Sequence, residues 1–166
     1  MEGVVLKRRL KIRWVSLIAD VMLGGMVVGP VLAPFLAASG LPFLPIIAGI
    51  IYFMGNHVCP QPDMGLMLSA PHIMAVCMRC YGTVMGLFVT RLWFAKTGGE
   101  GFYWLTQYGW WGAVISSLLM MAYPMELAAE VFAGWDFNNY VVFPFGLVTG
   151  LGWGLFKMPI LHGSKS

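Results

Sequence analysis

The sequence predicts an all-α, polytopic membrane protein, a bundle of about five transmembrane helices with one short interfacial helix between the last two. Three observations predict this class. Of the 166 residues, 59% are hydrophobic and 10% are charged, whereas a soluble domain carries about 25% charged residues. Several apolar runs reach about 18 residues, the length that crosses the hydrocarbon core. Gly and Pro lie within these runs, as transmembrane helices tolerate. A single integral membrane domain over 1–166 follows.

The N-terminal segment 1–13 is basic and precedes the first predicted span, 14–37. Cations beside a first hydrophobic segment hold that end in the cytoplasm and contact anionic lipid. The apolar run is longer than the roughly 7–15 residues of a signal peptide, so we expect a retained helix. No nucleic-acid partner is expected, because no soluble domain would present the patch. The cations are Lys7, Arg8, Arg9, Lys11 and Arg13.

Four further spans are predicted, near 41–58, 73–94, 102–123 and 140–160. Pro42 and Pro45 lie near the start of the second span, where a missing N–H costs little, and Pro124 ends the fourth. Glu126 and Glu130 then accompany apolar residues at helical spacing, which predicts the interfacial helix and solvated acids. Five spans place the N-terminus and the loop between spans two and three in the cytoplasm and the C-terminus outside.

Small residues at four-residue spacing predict faces where helices pack closely. Packing within the chain is the default interpretation, and self-association or contact with another membrane subunit is the alternative. The longest stripe, in the last span, is the predicted external contact. The stripes are Gly25 and Gly29, then Gly82 and Gly86, then Gly146, Gly150 and Gly154.

All three cysteines and two of the three histidines lie in one segment, 57–80. Thiolate and imidazole are ligands that suit zinc or an iron–sulfur centre. Two of the cysteines share one face of a helix, and the preceding loop can fold over that face. Packing of free thiols as small hydrophobes, a disulfide and a cysteine nucleophile are the alternatives. The predicted metal ligands are Cys59, His72, Cys77 and Cys80, with His57 as a substitute.

Charged residues fall within the predicted spans, among them Asp20 in the first and Arg79 near the start of the third. Charges in lipid are costly and usually paired. Because both spans would begin on the same side, we predict that Asp20 and Arg79 approach each other as a structural clamp. No familiar enzyme motif is present, so no catalytic residue is assigned.

The cysteine segment resembles an uncharacterised membrane protein family, domain of unknown function 2085. Its pattern reads C-H-Q, then G-H, then C-A-R-C-x-G followed by a further Gly. The matching residues are Cys59, Gln61, His72, Cys77, Arg79, Cys80, Gly82 and Gly86. The resemblance implies the membrane fold and the key residues but supplies no activity.

Pro60 departs from the family pattern, which has His at that position. This variant resembles members from oxygenic phototrophs, which implies a photosynthetic complex and a location in a bacterial plasma membrane or a thylakoid membrane. Chlorophyll would then be a further cofactor, with a magnesium ligand among His57, His72 and His162.

Three functions are open on the sequence alone. The leading one is a non-catalytic small subunit or assembly factor of a larger membrane complex. The second is a metal-binding or thiol-redox membrane protein that uses the cysteine segment. The third is a small transporter, although few residues would line a polar cavity at mid-membrane depth.

Overall fold

A computed structural model of the chain describes residues 2–97, 110–134 and 138–162. These residues form six α-helices, a 3-10 turn at Pro62–Met64 and one antiparallel hairpin. The helices are α1 Glu2–Ala38, α2 Leu44–Val58, α3 Met78–Thr97, α4 Trp110–Met120, α5 Ala122–Ala133 and α6 Asn139–His162. The hairpin strands are β1 Met67–Ser69 and β2 His72–Ile73.

Three helical stretches of the described residues are long and apolar enough to cross a membrane: Trp14–Ala38, Trp110–Ala133 and Asn139–Met158. The predicted class, a helical membrane protein, is confirmed. Where the sequence predicts about five spans, α2 is apolar but only 15 residues long. α3 carries two arginines and a lysine among its 20 residues. The predicted segment 102–109 lies outside the described residues.

The helix break predicted at Pro124 lies at Met121 instead, where a one-residue turn separates α4 from the short helix α5. The helical path continues through Met121, whose N–H donates to the Ser117 carbonyl at 3.1 Å. Pro124 lies in the first turn of α5, where its missing N–H would have no helical partner. α4 and α5 therefore form one candidate span, and the acids of α5 belong to it.

α2 and the segment after the hairpin both pack against the second half of α1. Ile51 of α2 lies beside Gly29. Beyond the hairpin, the Ala75 N–H donates to the Pro30 carbonyl at 3.5 Å. That carbonyl lacks its helical partner because Pro34 has no N–H. α3 therefore begins beside the second half of α1, five residues later than the predicted start at 73.

α1 and α3 run antiparallel. Arg91, near the end of α3, donates to both carboxylate oxygens of Asp20 at 2.5 and 2.6 Å, whereas the start of α3 lies near Pro30. Arg79 precedes Arg91 by twelve residues, about 18 Å along a helix. The predicted pair of Asp20 and Arg79 is wrong, because it assumed that the two helices begin on the same side.

Glycines bring α3 and α6 into backbone contact, and the two helices run parallel. A Cβ at Gly150 would lie 2.8 Å from the Thr83 carbonyl carbon and 2.9 Å from the Gly86 Cα. Further along both helices, Gly154 faces Thr90 in the same order. The stripes of both helices, including Gly82 and Gly146, thus pack on each other within the chain. The predicted external contact through the α6 stripe is wrong, because α3 occupies it.

The α1 stripe is not closely packed. No atom lies within 4 Å of a Cβ built at Gly25, and one built at Gly29 makes an ordinary 3.8 Å contact with Ile51. The prediction of a packing role therefore holds for α3 and α6 and not for Gly25.

The bundle has two ends. The basic end contains the start of α1, the end of α3 and the end of α6, where Leu23, Phe94 and Met158 pack together. α4 and α5 run antiparallel to α6, since the Tyr123 N–H donates to Thr149 Oγ1 at 2.9 Å and Gly152 lies against Leu119. The end of α5 therefore joins the hairpin and the start of α3 at the opposite end, which we call the thiol end.

Candidate metal centre

Three cysteine sulfurs converge at the thiol end. Cys59 follows α2, Cys77 precedes α3, and Cys80 lies in the first turn of α3. All three Sγ atoms lie within 4.8 Å of one another, and those of Cys59 and Cys77 are 3.3 Å apart. Sulfur ligands about 2.3 Å from a tetrahedral ion lie about 3.8 Å from each other. The three free thiols thus fit one ion with small shifts.

Local structure explains why Cys59 and Cys77 meet. The Cys59 N–H closes the last turn of α2 on the Gly55 carbonyl at 2.9 Å, and its backbone is then extended. A Cβ at Gly55 would lie 3.0 Å from the Ala75 carbonyl carbon, so only glycine lets the segment before α3 approach α2 this closely. The Cys77 carbonyl accepts the Tyr81 N–H at 3.0 Å, so the helical hydrogen bonds of α3 begin at the Cys77 carbonyl.

Backbone donors and neighbouring thiols favour a thiolate at Cys59. Its sulfur accepts the Cys77 N–H at 3.3 Å. Hydrogen bonds from the thiols of Cys77 and Cys80, and from the N–H groups of Cys77 and Gln61, lower the pKa of Cys59 against the effect of burial. The shared hydrogen bond with Cys59 raises the pKa of Cys77. The lowered pKa favours the thiolate form of Cys59, which is the form that binds a metal ion.

The exposed fractions of the three cysteines show which side of the cluster is open. Cys59 is 4% exposed and Cys77 is 0% exposed, whereas Cys80 is partly exposed. An ion would therefore enter past Cys80.

Neither predicted histidine ligand joins the cluster. His72 lies in β2, opposite Ser69, and His57 Nδ1 bonds to the Phe53 carbonyl at 2.8 Å. Within the described ranges, the group of three or more ligating side chains close enough for one ion consists of the cysteines alone. The hairpin, which the sequence did not predict, carries His72 away. Ion binding itself stays a prediction.

Tyr123 is a neighbour of the cluster that the sequence did not reveal. It lies in the first turn of α5, and its phenol group is close enough to Cys80 and Cys77 to interact with them electrostatically. The guanidinium carbon of Arg79 stands 5.5 Å from the centroid of its ring. Tyr123 is therefore a neighbour of both the sulfurs and Arg79.

A buried ion cluster adjoins the sulfurs. Arg79 is 0% exposed and pairs with Glu126 through Nε and through Nη2, the latter at 2.9 Å. It also donates to Glu130 at 2.5 Å and to Gln61 Oε1 at 2.7 Å. Gln61 Nε2 in turn donates to Glu130 at 2.9 Å. Because Arg79 lies between Cys77 and Cys80 in the chain, these bonds hold the turn that carries both thiols.

The acids of this cluster contradict the predicted solvated face. Glu126 is 6% exposed and the Glu130 side chain 15% exposed, because α5 continues as a helix to the thiol end. Their four-residue spacing places both on one helical face, with Tyr123 three residues earlier on the same face. The sequence signal for this cluster was the acidic face of the helix together with Arg79, a charge that requires a partner in lipid.

The helical bundle and its thiol cluster define the class: an integral membrane protein with a candidate metal centre. A family model described as a predicted membrane protein (DUF2085) matches residues 59–156, and the chain belongs to this family. The match begins at Cys59 and includes the other two thiols and both acids of the ion cluster. The comparisons with curated proteins and with solved structures found no match.

The resemblance drawn from the sequence is thereby confirmed at the level of the family. The match does not test the phototroph-type variant at Pro60. Chlorophyll ligation by a histidine therefore stays a prediction.

Proposed function

We propose that this chain is a metal-binding membrane protein whose Cys59, Cys77 and Cys80 hold one thiophilic ion, with zinc as the leading candidate. The observation that carries the proposal is the convergence of three sulfurs from two segments 18 residues apart. Thiolates select soft or borderline ions over magnesium and calcium. Iron–sulfur clusters are held by four cysteines, or by two cysteines and two histidines. The chain has three cysteines, and within the described residues no histidine joins them.

The ion would have a structural effect at this position. It would link the end of α2 to the first turn of α3 and so close the segment that contains the hairpin. Structural zinc sites have four ligands, and the Tyr123 hydroxyl or a water would supply the fourth. A redox dithiol is the alternative use of the same sulfurs.

Elemental analysis of the purified protein, reconstituted with zinc and dialysed, tests the proposal. We expect about one zinc per chain, as a single tetrahedral site requires. Cys59→Ser and Cys77→Ser should lose it. His72→Ala is the matched control and should keep it, because His72 lies apart from the sulfurs. Zinc-free wild type with a reversible disulfide would instead establish the redox function.

For a metal-stabilised bundle of this kind, we propose the role of a non-catalytic accessory subunit or assembly factor of a larger membrane complex. The open face of α1 supports it. Gly24 and Gly25 have no atom within 4 Å of an added Cβ, and Val21 and Met22 are 66% and 64% exposed. Lipid or a helix of another subunit can cover this apolar surface. The resemblance at Pro60 makes a photosynthetic complex the first candidate.

Native electrophoresis after mild-detergent extraction tests the accessory role. We expect the protein to migrate with a larger assembly. Migration of the chain by itself, under conditions that keep other membrane complexes intact, would contradict this role and leave the metal proposal standing.

A further inference from the structure

We infer that the thiol cluster exchanges its ion with the extracytoplasmic side of the membrane. The part of this inference that concerns the ion rests on the proposed metal function. The part that concerns the side of the membrane rests on the helix directions and the distribution of charge. It reverses the expectation from five alternating spans, which put the cysteine segment in the cytoplasm.

Helix directions place the cysteines and most cations at opposite ends. α3 is antiparallel to α1 and parallel to α6, as the Asp20–Arg91 pair and the stacked glycines establish. The start of α1, the end of α3 and the end of α6 therefore share the basic end. Cys59, Cys77 and Cys80 lie at the thiol end.

The charge difference between the two ends is large. Eight of the ten Lys and Arg residues belong to the half of the bundle that includes the basic end: five in 7–13, then Arg91, Lys96 and Lys157. The described cation of the thiol end is Arg79, buried against two acids. Asp63 is a third acid at that end. Lys and Arg near span ends mark the cytoplasmic side.

Aromatic residues mark the same boundary. Trp14 and Trp93 are 65% and 58% exposed, and both lie near the basic end because α1 and α3 are antiparallel. Indole rings prefer the depth of the headgroups. The two rings therefore place the interface just outside the Asp20–Arg91 pair, with the cations beyond it at the anionic leaflet.

The number of crossings agrees with this sidedness. α1 runs from the basic end to the thiol end. α2 and the hairpin begin and end at the thiol end, and α3 runs back to the basic end. α4 with α5 leads out again and α6 returns. Both termini therefore lie in the cytoplasm, and the ion enters past Cys80 from the opposite compartment.

Two measurements test the side and the ion separately. For the side, Ser39→Cys in the turn after α1 and Lys96→Cys at the end of α3 form a matched exposed pair. A membrane-impermeant maleimide applied to intact bacterial cells should label Ser39→Cys and should label Lys96→Cys only after lysis. The wild-type chain measures the background from its own thiols. The reverse pattern would overturn the inference.

For the ion, zinc-free wild type and Cys59→Ser are prepared in right-side-out and inside-out vesicles. Radioactive zinc added outside and then removed by rapid gel filtration should be retained by wild type only in right-side-out vesicles, and an impermeant chelator added outside afterwards should release it. The Cys59→Ser control should retain none. Retention only in inside-out vesicles would overturn the inference while upholding the metal function. No retention in either orientation would refute the metal function and this exchange together, and the labelling result would still decide the side.

Discussion

The close backbone contact between α3 and α6 at Gly150 yields a quantitative prediction for Gly150→Ala. An added Cβ would lie 2.8 Å from the Thr83 carbonyl carbon and 2.9 Å from the Gly86 Cα, both backbone atoms that cannot rotate away. Overpacking of this kind costs about 1–3 kcal/mol. For a chain of this size each kcal/mol lowers the Tm by about 2–4 °C, so we expect a fall of about 2–12 °C.

Gly25→Ala is the matched control, because it makes the same substitution within a helix where nothing lies within 4 Å. Alanine is favoured over glycine in a helix by about 1 kcal/mol, so the Tm should be unchanged or higher. Thermal unfolding of detergent-purified protein, followed by circular dichroism, measures both. Equal Tm values for the two variants would refute the close packing of α3 on α6.

Three further results are expected. Glu126→Gln should cost about 3 kcal/mol in denaturant unfolding, the lower range for a broken buried pair, because Glu130 still holds Arg79. Asp63→Asn, at an exposed acid, should change stability by less than about 0.5 kcal/mol, and an equal effect of the two would contradict the buried cluster. Chelation of zinc should lower the Tm of wild type measured by scanning calorimetry but leave Cys59→Ser unaffected; equal shifts would show that the chelator acts elsewhere.

The sequence predicted the membrane class and the helices that are long and uniformly apolar. The predicted spans 14–37 and 140–160 lie close to the apolar stretches Trp14–Ala38 and Asn139–Met158 of α1 and α6, because hydropathy alone defines such segments. Prediction from the sequence failed where the direction of a helix depends on long-range contacts. The return of α2 and the hairpin depends on the free Pro30 carbonyl and on Gly55, which periodicity does not reveal. Because this one return was missed, the predicted direction of every later helix relative to α1 was reversed.

The candidate site was predicted in part. The clustering of thiols followed from their position in one segment, and the three sulfurs do converge. His72 did not join them, because residue type indicates ligand chemistry and says nothing of where a loop folds. Glu126 and Glu130 were taken as solvated because Pro124 was expected to end the helix; the buried Arg79 shows why acids belong there.

X-ray absorption at the zinc edge of the purified, zinc-loaded protein measures the proposed centre directly. Three sulfur ligands at about 2.3 Å, with one lighter ligand at about 2.0 Å, are the expected result. A shell of nitrogen and oxygen alone would contradict it, because the ion would then be held away from Cys59, Cys77 and Cys80.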